Sequence, residues 1–459
     1  MMVNVFNFGA QGDGQNDDWA ALQHAIESGD GVLHLNKGTY RITKTLELDL
    51  TKQGYGGIRG DSGASRIIMD GAGPAIRIIG DHDGTANPAT YENHTWEKER
   101  MPIIEGLEIY GRHPASVGIE LRKTTKAVIT RVLVRECQYG IHLVERNRDF
   151  ILSDSHLLNN THHGLYFDNC NLHQIIVHGN HISWNKRSGI KSLNGDVHNL
   201  QITGNDIEYN HNAGVDTSPK GEPRGAEIWF DATDGVISEV TIASNTIQAT
   251  VQPGGANIRI WGADTEGVKA ARLFTISGNV LGSQSRGIEI RRAQRIAVTG
   301  NTIYDSKDRS ILFEDCGGFA IGSNTFVWRS DDDADQRDGI YLEDCYDGTI
   351  TGITATRMCF GNGQQGGAVT MIHCNDVLLG QSQILDSLTR GVDLMNCERC
   401  RVSDCSIIDR REEPRSAQAI RVRGGRNNLI QNNLVGGASD ELISISDGAG
   451  VAVTNHTIS

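Results

Sequence analysis

At 459 residues the chain is too long for one ordinary globular core, so its regularity has to come from repetition or from several domains. A formal net charge of -14 argues against nucleic acid or an anionic membrane as a partner, and no run of 18 apolar residues is present to span a bilayer. Nine cysteines, an odd number, do not suggest a disulfide framework, and with no Gly/Ser/Pro-rich linker dividing it, 1–459 reads as one domain.

The opening MMVNVFNFGAQGDG has neither the basic nor the apolar region of a signal peptide, so either a cytoplasmic chain or a secreted one with its signal removed is expected. Residues 16–28, NDDWAALQHAIES, read as the one clear helix: Asp17 or Asp18 can cap it, and Trp19, Leu22 and Ile26 form an apolar stripe. An amphipathic helix closing the open end is what a solenoid requires, which makes 1–50 a cap region. Residues 81–102 are the longest insertion before the regular coils and are expected to fold over the helix side.

From about residue 118 to 459 one phrase recurs: a small residue, an apolar, any residue, an apolar, two polar positions, then often Cys. Copies include GIELRKT (118–124), GIHLVER (140–146), GLYFDNC (164–170), EIWFDAT (227–233), NIRIWGA (257–263), GIEIRRA (287–293), SILFEDC (310–316), GIYLEDC (339–345) and GVDLMNC (391–397). Most lie 22–30 residues apart, and a second signature with Asn follows at Asn180, Asn205, Asn245, Asn279, Asn301 and Asn324. Short alternating strands at this period, with no helical stretch inside the unit, predict an all-β fold: a single-stranded right-handed parallel β-helix. Coils stacked ~4.8 Å apart would give about thirteen turns and a rod on the order of 60 Å. The Asn column predicts an internal amide ladder, and Cys170, Cys316, Cys345, Cys374 and Cys397 a buried thiol column rather than a metal site. The C-terminus ends in strand with no helix, so an oligomer such as a homotrimer, or the chain's own loops, is expected to cover it.

The segments FGAQGDGQNDD (8–18) and LNKGTYRI (35–42), with the helix between them, resemble the start of the pectate-lyase-like β-helix superfamily. That group includes polysaccharide lyases, glycoside hydrolases, epimerases and phage tailspikes, so the resemblance implies a polysaccharide or oligosaccharide as substrate. It does not choose the chemistry, because one fold hosts many. The N-T-D, D-D and G-H-G set of polygalacturonases, the D-P-H-E stretch of mannuronan epimerases and the W-I-D-H pattern of pectate lyases are absent. Coils such as SILFEDCGGFAIGSN (310–324) are loosely similar to the trimeric inulin fructotransferases, which would imply a fructan.

Strand alternation turns the third and fifth positions of each phrase outward. From Tyr166 to Glu343 this strip carries the aromatics Tyr166, Trp229, Trp261 and Tyr341 and the acids Asp168, Asp231, Glu289, Glu314 and Glu343. Exposed Trp on a strand predicts stacking on sugar rings. Glycoside cleavage needs two carboxyl groups, and Asp231, Glu289, Glu314 and Glu343 are the catalytic candidates. Glu314 and Glu343, one coil apart, are near the ~5–5.5 Å of a retaining pair, while Asp231 and Glu289, two coils apart at about 9.6 Å, fit inversion. Arg259 beside Glu289 and Arg291 beside Glu314 would equally serve as plain cross-strand ion pairs. A hydrolase of this kind requires no cofactor.

Two other functions fit some of the same residues. A lyase acting on a uronic-acid polysaccharide needs a base and a cation, for which Lys191, Arg259, Arg291 and Arg292 are available, with Ca²⁺ held by Glu314–Asp315 and Glu343–Asp344. A non-catalytic glycan-binding or tailspike-like module would use the aromatics alone. The loops 214–226, 250–256 and 329–339 border the strip and are expected to wall a pocket, with the acid-rich 330–338 as solvated rim. His142, His162, His163 and His173 read as surface or turn residues, without metal-ligand spacing.

Overall fold

The computed structural model describes residues 3–28, 31–211, 225–265, 267–328, 338–358, 364–446 and 449–458. They form a right-handed parallel β-helix of about 16 turns with two α-helices, one of them N-terminal. Contacts divide the chain into two compact units, Met1–Thr241 and Ile242–Ser459.

In the first unit one inward column runs through Leu33, Ile58, Ile104, Ile129, Leu152, Val177 and Ile202, each the register partner of the next. Another runs Leu46, Ile76, Ile119, Ile141, Leu165 and Ile190. In the second unit the matching column is Ile258, Ile288, Ile311, Ile340, Val369, Val392, Ile420 and Ile443. Each fully buried member stabilises the stack by about 1.5–3 kcal/mol. Stacking therefore begins with Val3 on Leu33, far ahead of the expected start near residue 118. The early coils carry the apolar ladder without the trailing polar pair, and the insertion 81–102 breaks their spacing, which hides them from a phrase search.

The small residue that opens each phrase is required by close approach. A Cβ on Gly118 would stand 2.2 Å from Gly140 O, one on Gly140 2.5 Å from Gly164 O, and one on Gly287 2.5 Å from Ser310 O. The Asn ladder is present in both units. Asn180 Nδ2 donates to Asn205 Oδ1, and in the second unit Asn245, Asn279, Asn301 and Asn324 hand the same bond from coil to coil at 2.9–3.0 Å. A second ladder, Asn160, Asn185 and Asn210, ends on Glu227, whose wholly buried carboxyl is pushed up to about 8 by burial. The five column cysteines are buried and free, as are Cys137, Cys400 and Cys405.

The N-terminal helix spans Trp19–Ser28 and packs on the strands Val32–Leu35 and Leu46–Asp49, with Leu22 and Ala25 buried. Asp17 Oδ1 accepts from Trp19 N, whereas Asp18 turns away and accepts from Gln11 N and Gly12 N, pinning the glycine-rich opening. Gln23 donates to Glu47 O and accepts from Glu47 N, and Trp19 Nε1 donates to Thr45 O. These bonds satisfy the edge-strand groups that would otherwise invite another chain. The insertion carries the second helix, Asn93–Lys98, and docks on the coils through Tyr91 Oη on Thr125 and Lys126 over the Tyr91 and Trp96 rings.

Asn301 donates to Ile276 O, Thr299 O and Asn324 Oδ1 and accepts from the Asn279 backbone and side chain. Asn301→Ala orphans several buried groups and is expected to destabilise the protein by about 3 kcal/mol, read as a lowered thermal midpoint. An unchanged midpoint would show that the ladder contributes nothing.

Candidate functional site

In the second unit the strip is built from Ala256–Trp261, Arg286–Arg291, Arg309–Glu314, Asp338–Glu343, Val369–Ile372 and Arg390–Met395. Its third-position column reads Arg259, Glu289, Leu312, Tyr341, Thr370 and Asp393 in register. Its fifth-position column reads Trp261, Arg291, Glu314, Glu343, Ile372 and Met395. The expectation that both face solvent needs correction. The third-position side chains are buried, Arg259 and Glu289 completely, because neighbours in the stack and the loop 250–256 cover them; Gly254 O accepts from Arg259. In the fifth-position column Trp261, Arg291, Glu314, Glu343 and Met395 are partly exposed, while Ile372 is buried.

Glu289 is therefore not an open catalytic acid. Its Oε2 faces Arg259 at 3.0 Å and Arg286 at 2.9 Å, and its Oε1 accepts from Arg291 at 2.9 Å and from Trp261 Nε1 at 3.2 Å. Burial pushes its carboxyl up, but the three guanidinium groups outweigh burial and hold it at about 2. Arg259 is likewise committed and not available to a substrate. Trp261 lies 5.4 Å from Arg259 and 5.5 Å from Arg291, so its exposure is smaller than expected. Arg286, which anchors Glu289 and Asp308, was missed because it precedes the phrase; the signal was the recurrent polar residue just before the small one, Arg286, Arg309 and Asp338 being register partners.

Arg291, Arg292, Glu314, Asp315, Glu343 and Asp344 line a cleft of about 310 Å³. The three dipeptides share one construction. The first residue ends a strand, and the second, with φ of 48° to 53°, sits in the left-handed region that bends the chain out of the sheet. Glu314 and Glu343 are register partners, ~4.8 Å apart along the stack. Arg291 Nη1 stands 3.0 Å from Glu314 Oε2, and Tyr341 Oη donates to Glu343 at 2.8 Å. Burial raises the Glu314 carboxyl above its ordinary value, against Arg291 and helped by Glu289 and Glu343. Asp315 is held by Lys269 at 2.7 Å. Arg309 lies over the Tyr341 ring at 3.8 Å.

The remaining expected residues gather in the first unit. Lys191 Nζ lies 3.3 Å from the Trp229 ring centroid and 3.3 Å from Asp231 Oδ2. Lys191 is the register partner of Tyr166, whose phenol donates to Asp168 at 3.1 Å. His142 Nε2 is 3.2 Å from the same carboxylate, and its ring stacks on Tyr166. The His142 bond holds Asp168 below the ordinary carboxylate range, while burial drives the Tyr166 phenol up. His142 and His163 are not surface residues: His163 is buried, its imidazole driven well below its ordinary pKa by burial, and accepts from Ser188 N. The alternation rule names His142 as a third-position residue, and its register neighbour Tyr166 was the missed signal. Asp231 belongs to this unit and Glu289 to the other. Of the expected walls, 214–224 and 329–337 lie outside the described residues.

Glu289 links the site to acid stability. Its folded pKa, about 2, lies below the unfolded 4.5, so its stabilisation is present above pH 4.5 and is lost as pH falls towards 2. Glu289→Gln leaves three guanidinium groups, that of Arg259 wholly buried, short of a partner and should cost about 3–5 kcal/mol at neutral pH. The gap between wild type and variant, measured by denaturant unfolding, should close as pH falls through that window; a constant gap would refute the ion-pair account.

Family comparison agrees with this architecture. The model described as "Right handed beta helix region" matches residues 67–222 and 338–459, and "Periplasmic copper-binding protein (NosD)" matches 224–363. No curated protein matches the chain. Similar solved structures include the A-module of the Azotobacter vinelandii mannuronan C-5 epimerase AlgE4, at 16% identity and TM-score 0.33 over 99% of both chains. The catalytic unit of a thermostable alpha-1,3-glucanase from Streptomyces thermodiastaticus is 15% identical, TM-score 0.38, over 100% of this chain and 70% of that one. PfbA, a surface adhesin of Streptococcus pneumoniae, is 11% identical, TM-score 0.48, over 88% and 90%. Likenesses this distant carry no inference about chemistry. The family match spans more than half of the sequence, and the chain belongs to the right handed beta helix region family.

Proposed function

We propose that the protein is a carbohydrate-active enzyme that cleaves glycosidic bonds of a poly- or oligosaccharide at the cleft of the second unit. The observation that carries this reading is the Glu314–Glu343 pair, adjacent in register on two rigid strands and open to a cleft of about 310 Å³. A retaining mechanism needs carboxyl groups ~5–5.5 Å apart, one protonated and one ionised. Glu314, raised by burial, serves as the general acid that protonates the leaving oxygen. Glu343, oriented by the Tyr341 hydroxyl, is the nucleophile; water then releases the sugar with Glu314 acting as base. Arg291 and Arg292 offer donors to sugar hydroxyls at the same opening. Trp229, Tyr166, Lys191, Asp168 and Asp231 are a second, separate cluster in the first unit.

That cluster favours a second reading, β-elimination from a uronic-acid polysaccharide. Asp168, held ionised by the His142 bond, is the base, the high pKa of Tyr166 keeps its proton for the leaving oxygen, and Lys191 neutralises the uronate carboxylate.

A panel of neutral and uronate polysaccharides, followed for reducing ends and for unsaturated-uronate absorbance with and without EDTA, separates the two. The expected result is reducing ends without the chromophore, with kcat reduced about 10²–10⁴-fold in Glu314→Gln and in Glu343→Gln. Activity should fall as pH rises through the elevated Glu314 pKa, because the acid must be protonated. Chromophore formation that survives Glu343→Gln and disappears in Tyr166→Phe would overturn this reading in favour of elimination. Neither product, with tryptophan fluorescence that still responds to a glycan, would leave a binding module.

A further inference from the structure

Three clusters among the described residues bring metal-ligating atoms together: Asp81, His94 and Glu99; Glu343, Asp344 and His373; and His173, Asp196 and His198. The first is a hydrogen-bonded trio at the docking point of the insertion, and the second adjoins the cleft already described. The third is different. His173 and His198 are register partners on the long strands His163–His178 and Ile190–Thr203, and Asp196 lies two residues before His198 on the same outward face. No loop has to move to assemble them.

We propose that His173, His198 and Asp196 form a binding site for a first-row divalent transition metal on the flank of the first unit. Two imidazoles and one carboxylate suit zinc and its neighbours rather than calcium or magnesium, which prefer oxygen donors. Tetrahedral ligands at the zinc distances of ~2.0–2.2 Å stand about 3.3 Å from one another. Here His198 Nε2 lies 2.8 Å and His173 Nε2 3.8 Å from the Asp196 oxygens, so the spacing brackets the required value and needs only small side-chain rotations. The fourth position stays open: the side chains of His173, His198 and Asp196 are 28%, 21% and 44% exposed.

A supporting shell surrounds the trio. The other ring nitrogen of His198 faces Glu239 at 3.5 Å, and Asn199 fixes that carboxylate at 2.8 Å. Asn171 Nδ2 donates to Asp196 Oδ2 at 2.9 Å. A carboxylate behind a ligating histidine sets its tautomer and raises its basicity. Arg148, the register partner of His173, brings a like charge close to the metal, but its guanidinium is occupied by the carbonyls of Asn147 and Asn171, and Asp196 and Glu239 supply two negative charges. Sequence spacing hides the site because the two histidines are a whole coil apart. The proposal does not depend on the glycosidase reading.

The test uses the full chain, stripped with EDTA and dialysed, titrated with ZnCl₂ by calorimetry and with CoCl₂ by visible absorption. One site of micromolar affinity or tighter, with the intense absorption of tetrahedral Co²⁺, is expected. His198→Ala and the near-isosteric Asp196→Asn should each weaken binding at least about 100-fold, and Glu239→Gln about 10–100-fold. His94→Ala and His373→Ala, which remove the other two clusters, should leave this site unchanged. Circular dichroism and metal-free unfolding confirm that each variant is folded, and Asp196→Asn keeps the test decisive if His198→Ala is not. Zinc binding that survives both His198→Ala and Asp196→Asn, or none at millimolar ZnCl₂, overturns the proposal.

Discussion

Everything in this protein depends on the parallel rung spacing of ~4.8 Å. The strand amides bond from coil to coil, so a strand side chain's neighbours are set by its register partner rather than by its own sequence surroundings. The Asn ladders make that spacing obligatory, because a slipped coil would strand buried amides in a medium that cannot solvate them. The glycines at the phrase openings act in the same direction, since a Cβ there would meet the next coil's carbonyl.

Stacking at this distance forces a choice in every charged column. In the third-position column, opposite charges on successive rungs become buried scaffold, as Arg259 and Glu289 do with Arg286 added from the Glu289 strand, and the carboxylate ends up too acidic and too enclosed to transfer a proton. Like charges on successive rungs cannot both ionise at no cost, and Glu314 above Glu343 is such a case. Arg291 joins the two regimes: it holds Glu289 with one nitrogen and faces Glu314 with another. The scaffold pair thus fixes the cation that sets the electrostatics of the open pair.

The fold was legible because its signal is periodic. Apolar positions such as Ile288, Ile311 and Ile340 recur with the small residue ahead of them, and neither needs a partner elsewhere to be recognised. The early coils through Leu46 and Ile76 were not, since they keep the ladder but lose the polar tail. At the site, alternation placed Glu314, Glu343 and Arg291 on one partly exposed column, where the register has them, but misjudged exposure at Glu289 and Arg259, because a two-residue period says which way a side chain points and not what lies over it. The His142–Tyr166–Asp168 cluster and the His173–His198 rung are assembled across coils, and a search along the chain sees only isolated histidines.

Fold membership alone leaves the chemistry open, since sites are grafted on a shared coil stack. The left-handed residue closing each strand is where that grafting occurs: Arg292, Asp315 and Asp344 all occupy it, and all line the cleft. A residue there is freed from the alternation that governs the strand, so it can change without disturbing the inward ladder. The strand-end residue before it remains tied to the register. The cleft therefore combines one column whose spacing the fold dictates, Arg291, Glu314 and Glu343, with a second whose identity the fold leaves open. On the proposed glycosidase reading, reaction geometry belongs to the first column and selectivity among sugars to the second.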